Sequence, residues 1–405
     1  MESSQVKKIS VTTATIIGLN AMIGSGIFTA PAAMACNVGP AGIVAYIAVV
    51  LSVLFMALSL ARLATLFPQE GSFYTYTSQW AGHIGGLIAS ACYMIGLVVA
   101  MGLLVKVSGN YLHSLFPSVA SMPLGIIVLT ALVILNICGA TLSQIGQYIL
   151  IICTLFPLIT ITILCFFNAN IANLTPFVPY GIGNVLKATR IVIFGFFGFE
   201  CAPSLFSIVK DPQKNVPRAV IYSILVVGVI YTFFITSLIL ATPFTIFCDP
   251  TTPLSTTLMT IFPEKKWLLT AIHCSILSAI IGTVHSMIWS SSTLLLALAN
   301  KIVIHRNKMR GSTFSPLSRN VQQGAVLLIG ACITIPFFCV SHIDIFFNIT
   351  AIGIIAAIIL SLITLLTIKN EWYTGKNIIT LLGICTALAI FYFAMEGIIS
   401  SLLTR

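Results

Sequence analysis

The sequence predicts an all-α protein that crosses a membrane about eleven times. Three observations predict it. Hydrophobic residues make up 58% of the 405 positions and charged residues only 7%. Mean hydropathy is +1.09. Apolar runs of roughly 20 residues, the length that crosses a bilayer, follow one another with short connections. Composition therefore overrules length: no soluble module separates out, and 1–405 reads as one transmembrane domain.

The expected spans fall at 11–33, 41–66, 84–112, 123–141, 146–167, 186–208, 218–241, 267–299, 321–340, 345–368 and 377–402. Residues 1–10 carry Lys7 and Lys8 and lead into a run too long for a signal h-region, without a small-residue cleavage site. It reads as a retained first span. Phe67-Pro68-Gln69-Glu70-Gly71-Ser72 closes the second span, and the aromatic, polar stretch 73–80 reads as an interfacial helix. The loop 168–183, with Pro176, Pro179 and two glycines, reads as irregular, with a short helix over the entrance.

The net charge of +10 has no basic patch with interleaved aromatics behind it, so nucleic acid is not expected as a partner. The charge follows membrane orientation instead. With a cytoplasmic N-terminus, the 19 lysines and arginines face inside except Lys106, Lys187, Arg190, Lys265, Lys266 and Arg405. The cluster at 301–310 reads as a topology anchor, with lipid-headgroup binding as the alternative. The 11 cysteines stand singly in apolar runs, with no CxxC pair and no histidine spacing for zinc, so no metal or cofactor is expected. Cys36 and Cys248 are the one pair to weigh as a disulfide.

Two interruptions stand out. Ile23-Gly24-Ser25-Gly26-Ile27-Phe28 sits in mid-span, and Gly195-Phe196-Phe197-Gly198-Phe199-Glu200 does the same in the sixth span. Glycine weakens a helix by roughly 1 kcal/mol against alanine, and freed backbone groups in hydrocarbon have no water to satisfy them. Paired Gly-interrupted spans, one in each half, mark a midplane binding site. The first span resumes near Gly26 and presents a helix N-terminus, which suits a carboxylate. The sixth ends its first half near Gly195 and presents carbonyls, which suit an ammonium. Together they describe a receptor for a zwitterion. The competing reading is close helix packing through small residues.

Glu200 is the carboxylate nearest the middle of a span in the core. A charge at that depth costs at least about 2.5–3.5 kcal/mol. It is expected to be protonated for part of the time or paired across the break, as a gate or coupling residue or as a structural acid. Glu396 in the last span reads as structural. In the eighth span His273 and His285 lie about 120° apart, which excludes a metal pair. His285 and Trp289 share a face, and His285 is weighed as a pH-sensitive residue against a packing histidine.

These residues resemble the amino acid–polyamine–organocation superfamily of transporters over nearly the whole chain. The likeness rests on the GSGIF break with Pro31 after it, on FPQEGSFYTY, on Gly198-Phe199-Glu200, and on the basic loop from Lys210 to Arg218. Leu135-Asn136-Ile137-Cys138-Gly139 resembles the basic amino acid/polyamine antiporter branch. The resemblance implies a LeuT-like inverted five-plus-five repeat with helices 1 and 6 discontinuous: 1–167, then 186–368, with 369–405 as an extra helix. It implies a substrate site made from Ala21, Ile23, Gly24, Ser25, Gly26, Ile27, Tyr93, Gly96, Met101, Phe194, Gly195, Phe197 and Gly198. Gating or coupling falls to Glu200, Phe194, His285 and Trp289, with Phe194 as an aromatic lid.

Where arginine-type exchangers carry polar residues, this chain has Ala21 and Met101, which argues for a neutral or apolar side chain. Asn20 next door leaves the register open. The lysine that proton-coupled members place in the fifth span falls here on Thr154, which favours exchange. The expectation is a bacterial inner-membrane amino acid exchanger working by alternating access. The alternatives are a proton-coupled symporter using Glu200 and His285, or a basic amino acid/polyamine antiporter. Expected partners are an amino acid and membrane lipid, with a homodimer left open. Paired catalytic acids, an HExxH helix and a charged filter are all missing from the sequence, which argues against an enzyme or a channel.

Overall fold

The structure, a computed structural model, describes residues 8–24, 26–28, 34, 37–69, 71–138, 140–200, 209–247, 254–264, 266–310, 319–340, 343–368 and 374–403. Its main helices are α1 (Val11–Met22), α2 (Gly42–Leu66), α3 (Ser72–Leu115), α4 (Ser121–Ile137), α5 (Ala140–Phe167), α6 (Ile182–Val192), α7 (Pro212–Ala241), α8 (Lys266–Arg310), α9 (Arg319–Cys339), α10 (Ile343–Thr367) and α11 (Thr374–Leu403). Among the described residues there is no strand, only an isolated parallel bridge between Ile9 and Val209. Among the described residues eight helices are long and apolar enough to cross a membrane, and α1 and α4 are shorter apolar ones. The fold is an all-α polytopic one.

Where helices start and stop follows local chemistry. The Ser10 side chain accepts the Thr13 N–H at 3.2 Å and so caps α1. The interfacial stretch 73–80 and the third span form one element, α3, kinked at Gly82, whose φ of 68° a residue with a side chain rarely adopts. α8 runs past its expected end at 299, with no glycine or proline between there and Gly311 to interrupt it. The loop after α5 carries a short 3-10 turn, Ile171–Leu174, and is stitched to the end of α7 where Asn170 N–H and Asn173 Nδ2 both donate to the Leu240 carbonyl. Cys36 and Cys248, the pair weighed as a disulfide, lie outside the described residues.

α1 and α6 are too short to span. Their 12 and 11 residues give about 16–18 Å at 1.5 Å per residue, against a hydrocarbon core of about 30 Å. Both are half-spans that end inside the protein. α1 packs on α7 and α8, and α6 on α2 and α11, so each half-span rests against full-length helices. At the far end of each broken span, Lys210 N–H donates to the Ile9 carbonyl at 2.9 Å, tying the start of the first to the segment after the sixth.

Candidate functional site

The first break is held by side chains from two other helices. α1 stops at Met22, and Ile23 turns away at φ −78°, ψ 79°. The Thr283 hydroxyl of α8 donates to the Asn20 carbonyl at 2.7 Å, and the Tyr231 hydroxyl of α7 donates to the Met22 carbonyl at 3.0 Å. Gly24 N–H also turns back to Met22 O at 2.8 Å. Carbonyls left over by the break are thus satisfied within the protein, as hydrocarbon demands. Ser25 lies outside the described residues.

The second break falls at Phe197–Gly198, slightly beyond the expected Gly195. α6 tightens into a 3-10 turn, Ile193–Phe196, and Phe197 is extended at ψ 139°. Gly198 has φ +115°, a conformation a side chain would strain. Its N–H donates to Glu200 Oε2 at 3.0 Å, and the Tyr93 hydroxyl of α3 hydrogen-bonds the same carboxyl. Glu200 is fully buried, and among the described residues its Oε1 has no hydrogen-bond partner.

The two breaks meet each other. A Cβ on Gly26 would lie 2.7 Å from the Gly195 Cα, and one on Gly198 would lie 2.5 Å from the Ala21 carbonyl. Glycine is required at both contacts because backbone faces backbone. Beside them a narrow cavity, with room for about one water molecule, is lined by Ala21, Met22, Gly24 and Gly26 of the first span and Phe194 and Phe197 of the sixth. Ala100 and Leu104 of α3 and Thr283 and Met287 of α8 complete the lining. Its walls are apolar apart from backbone and the Thr283 hydroxyl.

Of the residues expected at the site, Ala21, Gly24, Gly26, Phe194 and Phe197 line this cavity. Gly195 and Gly198 do not line it but lie against the lining residues Gly26 and Ala21 through the contacts above. Ile23 and Ile27 are buried beside it. Tyr93 reaches Glu200 and stacks on Phe73 with ring centroids 4.4 Å apart. Gly96 instead admits α10, with Ile354 and the Thr350 carbonyl 3.0 Å from where its Cβ would be. Met101 is buried next to the lining residue Ala100. His285 and Trp289 are buried on another face of α8: they sit two positions, about 200° of helix, from Thr283 and Met287. His285 Nδ1 lies 3.0 Å from Asn136 Nδ2 of α4.

Sequence reasoning missed Met22, Ala100, Leu104, Thr283, Met287, Tyr231 and Gln147. Ala100 with Leu104, and Thr283 with Met287, have the four-residue spacing of one helix face, the signal that could have found them. Asn20 turns from the cavity and donates to the Gln147 carbonyl at 2.8 Å, while Ser286 donates to Gln147 Oε1 at 3.0 Å. Gln147, rather than Thr154, is therefore the α5 side chain beside the first break. Thr154 lies two turns along, its carbonyl accepting from Ser275 at 2.9 Å.

The chain resembles known proteins in fold and in sequence. The structure of MhsT in complex with L-phenylalanine superposes with a TM-score of 0.68 at 12% identity, covering 97% of this chain and 100% of that one. At that identity the likeness concerns the fold, which is LeuT-like. The branched-chain amino acid permease BcaP of Bacillus subtilis is 25% identical over 251 residues, 57% of this chain and 54% of that protein. The glutamate/serine transporter AimA of the same bacterium is 29% identical over 237 residues, 53% of this chain and 44% of that protein. Cationic amino acid transporter 1 of Arabidopsis thaliana is 24% identical over 255 residues, 59% and 43% of the two chains. The chain spans about half the length of the curated relatives it matches. A family profile described as amino acid permease, by contrast, matches from residue 9 to residue 401. With the broken half-spans facing one another inside a LeuT-like bundle, and with that match over nearly its whole length, the chain belongs to the amino acid permease family.

Proposed function

We propose that the chain moves α-amino acids with neutral, apolar side chains across the membrane by alternating access, as an exchanger. The single observation that carries this reading is the cavity at the meeting of the two breaks. The helical turn beginning at Gly26 offers N–H groups to a carboxylate, and the end of the 3-10 turn at Phe196 offers carbonyls to an ammonium. Ala100, Leu104, Met287, Phe194 and Phe197 give the rest of the solute an apolar surround. The relatives' names range over branched-chain, cationic and glutamate/serine transport, so the choice of side chain rests on the lining alone. A basic amino acid or polyamine would need a carboxylate for its distal charge, and none lines the cavity among the described residues.

The remaining site residues take supporting parts. Phe194 covers the cavity, its ring 4.6 Å from that of Phe347. Glu200 holds the turn at the second break through Gly198 and, among the described residues, supplies the ionisable carboxyl there. Its partnerless Oε1 is the observation that favours a second reading, proton-coupled uptake. The lysine and arginine bias supports an orientation with the N-terminus cytoplasmic, and the membrane proposed is a bacterial inner membrane. The repeats are proposed at 1–167 and 186–368, with 369–405 beside them.

Uptake of labelled leucine into proteoliposomes tests the reading. Exchange predicts uptake only when the lumen is preloaded with unlabelled neutral amino acid, and little response to an imposed pH gradient. Uptake into empty vesicles driven by an inward proton gradient would establish the second reading instead. No uptake of any neutral amino acid under either condition would overturn both.

A further inference from the structure

α6 is a half-span, so its tilt is not fixed by a helix continuing across the bilayer; lateral contacts must fix it. Lys187 and Arg190 of α6 and Phe194 of the 3-10 turn that continues it recur at helical spacing. Lys187 Nζ lies 2.7 Å from Glu396 Oε1 of α11. Arg190 Nη1 lies 3.5 Å from the Phe393 carbonyl of the same helix. Gly397 matters to this contact: a Cβ there would stand 2.1 Å from Arg190 Nη1 and 2.8 Å from both terminal atoms of the Asn348 amide. The guanidinium and the amide occupy the space a side chain at 397 would take, and as ends of flexible side chains they would move aside for one. Asn348 follows Phe347, whose ring meets Phe194. A connected set of contacts thus runs from α11 through the two basic residues of α6, and through α10, to the ring that covers the cavity.

Resting on the transport reading above, we propose that α11 positions the lid: its hold on Lys187 and Arg190 through Glu396, the Phe393 carbonyl and Gly397 sets how readily Phe194 leaves the cavity. Among the described residues, none of α11 lines the cavity. A helix serving only as filler in lipid would carry an apolar residue at 396, because charge within a membrane helix costs several kcal/mol unless it is paired. Both charges are instead spent on joining a helix outside the core to the half-span that ends in Phe194. Lys187 and Glu396 are positioning residues, since neither touches the cavity.

The test uses the full-length protein and four variants: E396K, K187E, the double swap K187E/E396K, and G397A, which evicts the guanidinium without altering charge. Amide hydrogen exchange is followed across 182–196, and leucine exchange kinetics are measured in proteoliposomes. We expect E396K, K187E and G397A each to speed hydrogen exchange in α6 and to raise KM by about fivefold or more, with a smaller change in Vmax. The double swap should return both readouts to within about twofold of the parent. Unchanged α6 exchange in the single variants overturns the proposal. So does faster α6 exchange with unchanged KM, or a swap that restores neither readout. Should the parent protein not exchange leucine, the functional reading fails on its own, and the hydrogen-exchange arm still decides whether α11 grips α6.

Discussion

At the scale of residues, glycine placement and carbonyl capping make the sharpest demands. Gly26 faces the Gly195 Cα at 2.7 Å from an ideal Cβ, whereas Gly146 on α5 would place its Cβ an ordinary 3.8 Å from Leu135. Gly26→Ala should therefore lower thermal stability by an overpacking cost of about 1–3 kcal/mol and abolish leucine binding. Gly146→Ala should be neutral or stabilising by up to about 1 kcal/mol. Equal melting temperatures for the two would contradict the backbone contact. Thr283→Val keeps shape but removes the donor to the Asn20 carbonyl, so about 1–3 kcal/mol of stability should be lost. Glu200→Gln retains an acceptor for the Gly198 N–H while removing the ionisable proton. The pH dependence of exchange should flatten with binding retained, and an unchanged pH profile would refute a coupling role.

Elements show why some of the site is readable in sequence and some is not. Glycines stand out in an apolar run, so both interruptions can be located from spacing alone, and the Gly198 φ of +115° gives the physical reason glycine is there. α3 and α8 are different. Each is apolar on most sides, so periodicity does not say which face meets the cavity, and Thr283 and Met287 cannot be told from His285 and Trp289 two positions away. The hydrogen bond from Thr283 to Asn20 joins positions far apart in the chain, and no local pattern announces it. The lining also yields a prediction about selectivity. Ala100→Leu should fill the cavity, favouring alanine over leucine in competition assays, and Met287→Ala should shift preference toward larger side chains. Unchanged selectivity in both variants would remove α3 and α8 from the side-chain pocket.

At the scale of the molecule, the bundle brings two short helices to the same depth and leaves them dependent on neighbours. α7 and α8 cap the carbonyls of the first break, α3 reaches the carboxyl beyond the second, and α10 and α11 brace the half-span that carries Phe194. On the proposed reading, full-length helices act as a frame and the half-spans set the solute's two charged groups. Such a cavity would select a dipolar headgroup because each end of it would be made of peptide dipoles of one sign. Thermal unfolding with leucine, with its decarboxylated amine and with its deaminated acid measures this most directly, since a ligand bound only by the folded state raises the melting temperature. Leucine should raise it while the amine and the acid, at the same concentration, do not. Stabilisation by either half-ligand equal to that by leucine would show that a single charge suffices and would contradict the pairing of the two breaks around one zwitterion.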